Sequence, residues 1–308
     1  MMARIWIALV IVYVVWGSTY LAIRIAIETM PPFFMAAVRQ CIAGAVLFAA
    51  SIRRGDTAGD RVGARQWRAA TIVGGALLLG GNGGVVWAEQ RIASGVAALL
   101  VATLSLWMAL LSWLVLGERP SRLAAIGLPL GFVGVALLVR PSGDGGVDLL
   151  GAVVCTLASL SWAAGSLYAR HAPLPKRSAV ATGMQMIAGG GLLLVVAAAA
   201  GELGRLRPET FSTRSLAAVA YLIVMGSLVA FSAYAWLIRV APTALVATYA
   251  YVNPVVAVGL GWALAGEPIT PRMVVAGAVI VVAVVLIATG HERVPRTEAV
   301  RQRALATE

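Results

Sequence analysis

Aromatic and polar side chains recur along the first hydrophobic stretch of the chain at intervals of three and four residues, at Tyr13, Trp16, Tyr20 and Arg24. In a helix, residues at these intervals share one face. Such a face could strip water from a small solute and replace the solute's contacts with water by contacts with protein. Alternatively, the rings pack against other helices or lie at the lipid boundary. The spacing leaves both interpretations of Trp16 and Tyr20 open.

Further polar and aromatic side chains lie inside later hydrophobic stretches, where an unpaired polar group costs free energy. The candidates for contact with a solute are Trp16, Tyr20, Asn82, Trp107, Trp162, Tyr234, Tyr249 and Asn253. Their aromatic faces, hydroxyls and amides suit the binding of a small molecule without any bond being made or broken. We therefore interpret these eight residues as substrate-binding candidates.

The residues that catalysis or metal binding would need do not cluster in the sequence. His171 and His291 lie outside the hydrophobic stretches, and no pair of carboxylates lies within one. Cys41 and Cys155 show no CxxC motif and no metal-ligand spacing. An intramembrane enzyme is the less favoured class, and we predict no catalytic residue, no metal and no cofactor.

Four charged residues, Arg39, Glu89, Glu118 and Glu267, are candidates for gating or structural roles. Arg39 lies about six residues inside a hydrophobic stretch, where a central charge costs roughly 2.5 to 3.5 kcal/mol, so it should face protein or water. It could bond to Glu28 or to a carbonyl, or face an anionic part of a solute. Glu118 and Glu267 each close a hydrophobic stretch just before a turn, which indicates capping or gating.

Two further predictions concern charges near the ends of these stretches. Arg24 and Glu28 are four residues apart, a spacing that favours a local ion pair on a helix. Glu89 is expected at a solvated rim near Arg91, with a proton or cation site as the alternative. Proton coupling is therefore kept as an expectation.

Candidate hinges are two glycines in the third hydrophobic stretch and a proline in the ninth. Gly81 and Gly83 belong to the run 80–84, whose four glycines each cost helical stability by roughly 1 kcal/mol relative to alanine. The run indicates either a broken helix that exposes backbone dipoles or close helix packing. Pro254 leaves the carbonyl oxygen of Ala250 without its helical donor, which could create a hinge or a binding notch.

The elements that must position these residues are hydrophobic stretches of about 20 residues, the length of helix that crosses a bilayer core. Of the 308 residues, 60% are hydrophobic and 12% are charged, whereas soluble domains carry roughly 25% charged residues. The predicted spans are 4–27, 33–52, 67–88, 94–116, 122–140, 149–170, 179–200, 215–238, 243–265 and 272–290. The predicted fold class is an all-α integral membrane protein with ten transmembrane helices.

The distribution of positive charge predicts the orientation of the chain and excludes one class of partner. Lys and Arg number sixteen on the side of the N-terminus and seven on the other side, with Arg39 inside a span. The positive-inside rule then places both termini in the cytoplasm. A net charge of +11 would suggest nucleic acid in a soluble chain, but here the charge is spread over short loops and a tail near lipid headgroups. We predict no nucleic-acid partner.

An internal repeat divides the chain into two units. Trp16 and Trp162 lie 146 residues apart, and each precedes an arginine by eight residues. The segment 91–118 parallels the segment 239–267 at offsets of 148 and 149. Each unit holds five spans, an odd number, so the two copies must cross the membrane in opposite senses.

We therefore predict three regions in the chain. The first five-helix repeat is expected at 1–145 and the second, inverted repeat at 146–290. The segment 291–308 is expected to form a charged cytoplasmic tail. In transporters with inverted repeats, the binding site lies near the midplane between the two halves.

The chain resembles the EamA-type permeases of the drug/metabolite transporter superfamily. The matching stretches are WGSTYLAIR at 16–24, PPFFMAAVRQCIAGA at 31–45, GNGGVVWAEQRIASGVAALL at 81–100, GERPSRLAAIGLPLGFVGV at 117–135 and TYAYVNPVVAVGLGWALAGEPIT at 248–270. The resemblance implies a ten-helix carrier of small metabolites with a central cavity between two five-helix bundles. The family usually has a proline in the fourth helix, where this chain has Ser105. A kink is therefore expected only in the second half, at Pro254.

These observations predict a secondary transporter that works by alternating access in the bacterial inner membrane. Its solutes would be small metabolites, amino-acid-like molecules or drugs, and the resemblance favours export. No nucleotide-binding motif such as GxxxxGK[ST] occurs, so a gradient of solute or protons would drive transport. A passive channel or facilitator and a lipid-carrier flippase of the same fold are the alternatives. The expected partners are a small-molecule solute and the lipid bilayer, and a homodimer is left open.

Overall fold

A computed structural model describes residues 2–52, 62–139, 147–241, 245–246 and 248–290, apart from the side chains of residues 235, 238, 239 and 290. Over these ranges the chain forms ten long helices, two short 3₁₀ turns and no strand. The helices are α1 Met2–Ala26, α2 Pro32–Ile52, α3 Ala64–Ala88, α4 Ser94–Leu116, α5 Arg122–Val139, α6 Leu149–Ala169, α7 Ser178–Ala199, α8 213–240, α9 Tyr249–Ala265 and α10 Pro271–Gly290.

Length and apolar composition allow nine of these described helices to span a membrane, and α9 is a shorter apolar helix of 17 residues. Large apolar side chains such as Ile7, Val10 and Val14 lie exposed on the outer surface of the bundle, as contact with lipid tails allows. Trp6 is also exposed, with 52% of its surface accessible. The predicted all-α membrane fold is confirmed. The predictions for Arg53, Arg54, Arg61, Arg140 and the segment 291–308 lie outside the described residues.

The packing of the helices follows the repeat. α2 packs along α7 and α5 packs along α10, and the two members of each pair occupy equivalent positions in the two halves. α1 packs against α8 and α9, whereas α6 packs against α3 and α4. The first helix of each half therefore contacts the third and fourth helices of the other half.

Small residues allow the closest of these helix contacts. A Cβ atom placed on Gly44 of α2 would lie 2.9 Å from the backbone nitrogen of Ile187 in α7. A Cβ atom on Gly127 of α5 would lie 2.8 Å from the carbonyl oxygen of Ala283 in α10. Glycine is required at these positions because a side chain would push the two backbones apart.

The glycine run 80–84 does not break α3. The helix continues through it, with a widened π-helical stretch at Gly75–Gly83. The glycines pack closely: a Cβ atom on Gly84 would lie 2.8 Å from that of Ala158 in α6. Of the two interpretations of the run, close packing is confirmed and an unwound helix is wrong.

A second π-helical stretch, Leu222–Val229, lies in α8. It begins 147 residues after the first one, at the equivalent position of the other half. No glycine cluster or proline marks it, so the sequence did not reveal it. Because π-helical turns are rare and occur often at functional sites, their presence at equivalent places in both halves points to the centre of the bundle.

The fourth and ninth helices differ from their predicted form. α4 has a turn at Thr103 between Ser94–Ala102 and Leu104–Leu116, although it lacks the family's proline. The Thr103 hydroxyl donates to the carbonyl oxygen of Leu100 at 2.5 Å, which lets the backbone depart from regular helix without an unpaired group. Of the predicted span 243–265, α9 covers Tyr249–Ala265 and continues through Pro254. Leu245 and Val246 are also helical, and residues 243, 244 and 247 lie outside the described residues.

Candidate functional site

Three aromatic rings meet where α1 packs against α8 and α9. The ring centroid of Trp16 lies 5.1 Å from that of Tyr234 and 5.2 Å from that of Tyr249, and the two tyrosine rings lie 5.7 Å apart. Two of these three contacts are edge to face, an arrangement that aromatic pairs prefer. We call these three residues the aromatic cluster. Two of its three contacts cross between the two repeats, because Trp16 comes from the first and both tyrosines from the second.

Hydrogen bonds position the aromatic cluster and the residues next to it. The indole N–H of Trp16 donates to the carbonyl oxygen of Gly226, in the π-helical stretch of α8, at 3.3 Å. The Tyr13 hydroxyl bonds to the hydroxyl of Thr248, at the turn that precedes α9. With its amide oriented to suit its neighbours, Asn253 donates to the carbonyl oxygens of Tyr249 and Tyr13 at 3.2 Å each. Asn253 therefore joins α9 to α1.

Arg39 of α2 is buried where it contacts α8, with 7% of its surface accessible. Its Nε donates to the hydroxyl of Ser227 in α8 at 3.1 Å, while one terminal nitrogen has no hydrogen-bond partner. The expected bond to Glu28 is not formed. Because Ser227 follows Gly226 directly, the same π-helical stretch holds both Arg39 and Trp16.

The first π-helical stretch makes a similar but weaker contact. Asn82 accepts a hydrogen bond from the side-chain amide of Gln40, the neighbour of Arg39 on α2, at 3.4 Å. Gln40 and Arg39 thus reach the widened stretches of α3 and α8 from one helix. The side-chain oxygen of Asn82 thus has a hydrogen-bond donor, as a polar group away from water requires.

Trp162, the counterpart of Trp16, has different neighbours. Its ring lies over Gly81, where a Cβ atom would approach it to 2.8 Å. The residue of the first half that corresponds to Tyr249, at an offset of 148, is Val101. Trp162 and Val101 line one small hollow between α3, α4 and α6. An aromatic cluster therefore exists at only one of the two equivalent interfaces.

Two other predicted site residues make separate contacts. Tyr20 packs against the buried core formed by α3 to α6 and α10. The ring of Trp107 lies edge to face with Phe132 of α5, 5.0 Å between centroids, and its buried N–H has no partner. Neither residue contacts a ring of the aromatic cluster.

Glu89 does not lie at a solvated rim, so that prediction is wrong. Its surface is 0% accessible, and neither carboxylate oxygen has a hydrogen-bond partner. Arg91 instead pairs with Asp148 at 3.8 Å and lies over the ring of Trp87. The predicted pair of Arg24 and Glu28 is also wrong. Those two side chains have other partners, namely the carbonyl oxygen of Glu89 for Arg24 and Arg214, at 3.7 Å, for Glu28.

Glu267 caps a helix of the other half. Its two carboxylate oxygens accept the backbone N–H groups of Ser94 at 2.8 Å and Gly95 at 3.1 Å, at the start of α4. The first N–H groups of a helix lack acceptors within it, and its dipole attracts negative charge there. One side chain thus closes the gap between the α9–α10 connection and α4.

Glu118 has the same backbone setting but not the same contact. Gly117 and Gly266 both adopt left-handed backbone, with φ of 70° and 65°, which glycine tolerates best. The N–H of each following glutamate donates to a carbonyl six residues back, at 3.2 Å for Glu118 and 3.0 Å for Glu267. The side chain of Glu118 is nevertheless exposed. The position that corresponds to Ser94 falls at 242–243, outside the described residues.

A groove of about 320 Å³ is lined neither by the aromatic cluster nor by Arg39. Its lining consists of Phe33, Leu79, Gly80, Gly84, Trp87, Val154 and Val196. It contains no charged side chain, so it lacks the polar groups that fix the orientation of a solute. In the described part of the chain, no three His, Cys, Asp or Glu side chains lie close enough to hold a metal ion.

Sequence patterns did not indicate a role for four residues that form hydrogen bonds to residues considered in the sequence analysis. They are Gly226, Ser227, Thr248 and Ser94. The repeat offset of 147 places 226 and 227 opposite 79 and 80, beside the glycine run. Applying the offset to every flagged segment would have drawn attention to this part of α8. No local pattern marks Thr248 or Ser94, because their partners are distant in the chain.

Comparisons with known proteins agree with this architecture. The model of the EamA-like transporter family matches twice, at residues 4–140 and 149–289. The chain is 39% identical over 289 residues to "Uncharacterized inner membrane transporter YedA" of Escherichia coli K12, covering 94% of this chain and 92% of that protein. It is 26% identical to "WAT1-related protein At3g02690, chloroplastic" of Arabidopsis thaliana, covering 92% and 69%.

A solved crystal structure has the same fold, with a TM-score of 0.63, 22% identity, and coverage of 94% of this chain and 98% of the other. The family model thus matches each half of the chain, and equivalent helices of the two halves pack against each other. The chain belongs to the EamA-like transporter family, whose two-repeat architecture of apolar helices it shares.

Proposed function

We propose that the protein is a secondary carrier that exports a small solute across the bacterial inner membrane by alternating access. Membership of a transporter family supports transport in general, and the inner-membrane name of the Escherichia coli relative supports the location. Proton coupling and a homodimer belong to this proposal as expectations, as does the cytoplasmic position of both termini.

One observation carries the alternating-access mechanism: two equivalent Gly-Glu turns have unequal side-chain contacts. Glu267 is bonded across the interface to α4, whereas Glu118 is exposed. In a carrier built from inverted repeats, the two halves exchange conformations as the open face changes. We infer that the turn at Glu267 closes one face and that the turn at Glu118 closes the other face in the opposite state.

The proposed solute site lies at the aromatic cluster and Arg39, because Trp16 and Arg39 bond to the same π-helical stretch of α8. Aromatic rings supply apolar contact area, and the unpartnered nitrogen of Arg39 offers a charged donor. These groups suit a small molecule with an apolar or aromatic body and an anionic group. Amino-acid-like metabolites and amphipathic drugs are the classes that fit this description.

The first experiment identifies the solute and separates a carrier from a channel. Purified protein is screened for thermal stabilisation by amino acids, nucleosides, sugars and cationic drugs, since a ligand of the folded state raises its stability. The stabilising compound is then used in counterflow with proteoliposomes. A carrier accumulates labelled solute transiently against unlabelled solute inside, whereas a pore equilibrates without an overshoot. Absence of an overshoot would contradict the proposal, and an overshoot with labelled lipid alone would indicate a flippase.

A second experiment tests the two Gly-Glu turns. Glu267→Ala should increase the reactivity of a cysteine at position 94, which is buried at the capped end of α4, because the bonds to the N–H groups of residues 94 and 95 are lost. Glu118→Ala is the matched control and should leave that reactivity unchanged. Both variants should slow counterflow, since each state of the cycle needs one closed face. Equal reactivity in all three proteins would contradict the assignment of Glu267 to a gate.

A further inference from the structure

Glu89 is a buried carboxyl group that is not part of the proposed solute site. It ends α3 directly before the connection to Ser94, whose N–H is capped by Glu267. Neither of its oxygens has a hydrogen-bond partner. The hydroxyl of Ser94 is likewise buried and unpartnered. Unpaired buried oxygen atoms therefore lie at the end of α3 and at the start of α4, where Glu267 is bonded.

The charged and titratable groups around Glu89 come from every helix packed on it. They are Tyr20 and Arg24 on α1, Arg39 on α2, Cys155 on α6 and Glu267 on the α9–α10 connection. Neither arginine forms an ion pair with the carboxylate in the described structure. Arg24 bonds to the backbone carbonyl of Glu89, and Arg39 bonds to Ser227.

An ionised carboxylate without donors is costly in a dry interior, by several kcal/mol, whereas a neutral carboxyl group costs far less. The nearby negative charge of Glu267 adds to the cost of a second anion. The geometry therefore suits Glu89 to carry a proton while the Glu267 turn is closed. Once that turn opens, water can solvate the anion, and the two arginines favour its formation.

We propose that Glu89 binds the coupling proton of the carrier and that its ionisation opens the Glu267 turn. The inference rests on the proposed carrier function. The O–H bond of the Glu89 carboxyl group breaks, the proton passes to water at the open face, and the remaining carboxylate repels Glu267 from α4. Because the proton binds more tightly to the closed form, acidic pH favours closure and alkaline pH favours opening. In the predicted orientation this face is the outer one, so a lower pH outside the cell would favour its closure.

Infrared spectroscopy of the reconstituted protein tests the proton site without any solute. At about pH 7 the wild type should show the C=O band of a protonated buried carboxyl group, and Glu89→Gln should remove it, since free glutamate ionises near pH 4.3. Glu28→Gln, which changes a half-exposed carboxylate at the same end of the bundle, should leave the band in place. A band that persists in Glu89→Gln, or no band in the wild type, would overturn the proposal.

Spin labels at cysteines introduced for Gln90 and Ile269 test the link to opening. Both positions are exposed, Cys41 is replaced by serine, and Cys155 is buried and can stay. From about pH 5 to about pH 9 the distance should lengthen in the wild type and in Glu28→Gln, but stay short in Glu89→Gln, which imitates the neutral acid. The same lengthening in Glu89→Gln would overturn the coupling. Counterflow without these pH effects would leave the carrier function intact and sink only the role of Glu89.

Discussion

Trp16 makes more of the described contacts between the two halves than any other aromatic side chain, with two rings and one carbonyl as partners. Its counterpart Trp162 lies over a glycine and beside aliphatic side chains. The repeat thus conserved the position of the tryptophan but supplied it with different neighbours. The proposed solute site is therefore asymmetric, although the same family model matches both halves.

Replacing Trp16 should weaken solute binding. Trp16→Ala removes a ring that the proposed site offers to the solute, and one aromatic contact worth about 0.5 to 1.5 kcal/mol means that the affinity for the solute should fall about twofold to tenfold. Trp6→Ala, which removes a lipid-exposed tryptophan from the same helix, is the matched control and should bind normally. Thermal stabilisation as a function of solute concentration measures both. Unchanged affinity in Trp16→Ala at normal membrane yield would place the site elsewhere.

Trp162→Ala should also slow transport, because the ring fixes the widened stretch of α3 through Gly81. Its effect should fall on the rate of counterflow rather than on affinity, since the hollow beside it is small and apolar. Counterflow at several solute concentrations separates the two parameters. A normal rate would show that movement of α3 does not depend on this ring.

Ser227 supplies the hydrogen bond of Arg39. In Ser227→Ala, the buried guanidinium loses this bond, so the protein should be destabilised by about 1.5 to 3 kcal/mol. Thr71→Ala removes a hydroxyl that only bonds to its own helix on the surface, and it should change stability by less than about 0.5 kcal/mol. The midpoints of unfolding in mixed detergent compare the two. Equal midpoints would mean that water satisfies Arg39.

At the scale of the helix, the glycines of α7 show how local the packing requirement is. A Cβ atom on Gly190 would lie 2.6 Å from the sulfur of Cys41 and 2.9 Å from its backbone nitrogen in α2. A Cβ atom on the next residue, Gly191, would have no neighbour within 4 Å. Adjacent glycines in one helix therefore have different reasons to be there.

Gly190→Ala should destabilise the protein and Gly191→Ala should not. The first change forces α2 and α7 apart, with an expected cost of about 1 to 3 kcal/mol for overpacking. The second should be neutral or stabilising by up to about 1 kcal/mol, since alanine favours helix. Melting temperatures in detergent measure both. A lower melting temperature for Gly191→Ala would contradict the described facing of α7.

The helices show how far composition alone can locate structure. Nine of the ten predicted spans coincide with long apolar helices to within a few residues, because a bilayer sets the length of the stretch that must be apolar. The tenth helix begins at Pro271, and the hydroxyl of the preceding Thr270 accepts the N–H of Met273 at 3.1 Å. The turn at Thr103 was not predicted, since the sequence indicated a kink only at Pro254.

At the scale of the whole molecule, the order of the helices makes a prediction about which loops share a face. Positions 90 and 204 should lie on one side of the membrane, and positions 119 and 176 on the other, because each repeat contains an odd number of spans. Single cysteines introduced at these exposed sites can be labelled with an impermeant maleimide in oriented vesicles. Labelling of 90 and 204 from opposite faces would refute the inverted repeat.

Hydrophobic length and the repeat offset alone determined that the chain is a helical membrane protein of two homologous halves. The buried environment of Glu89, the partners of Arg24, Arg39 and Glu28, and the aromatic cluster were decided only in the tertiary structure. The physical reason is that lipid requires apolar side chains wherever it contacts the protein, so its effect appears as apolar stretches in the sequence. Contacts between helices join residues far apart in sequence, such as Glu267 and Ser94, and no local pattern specifies them.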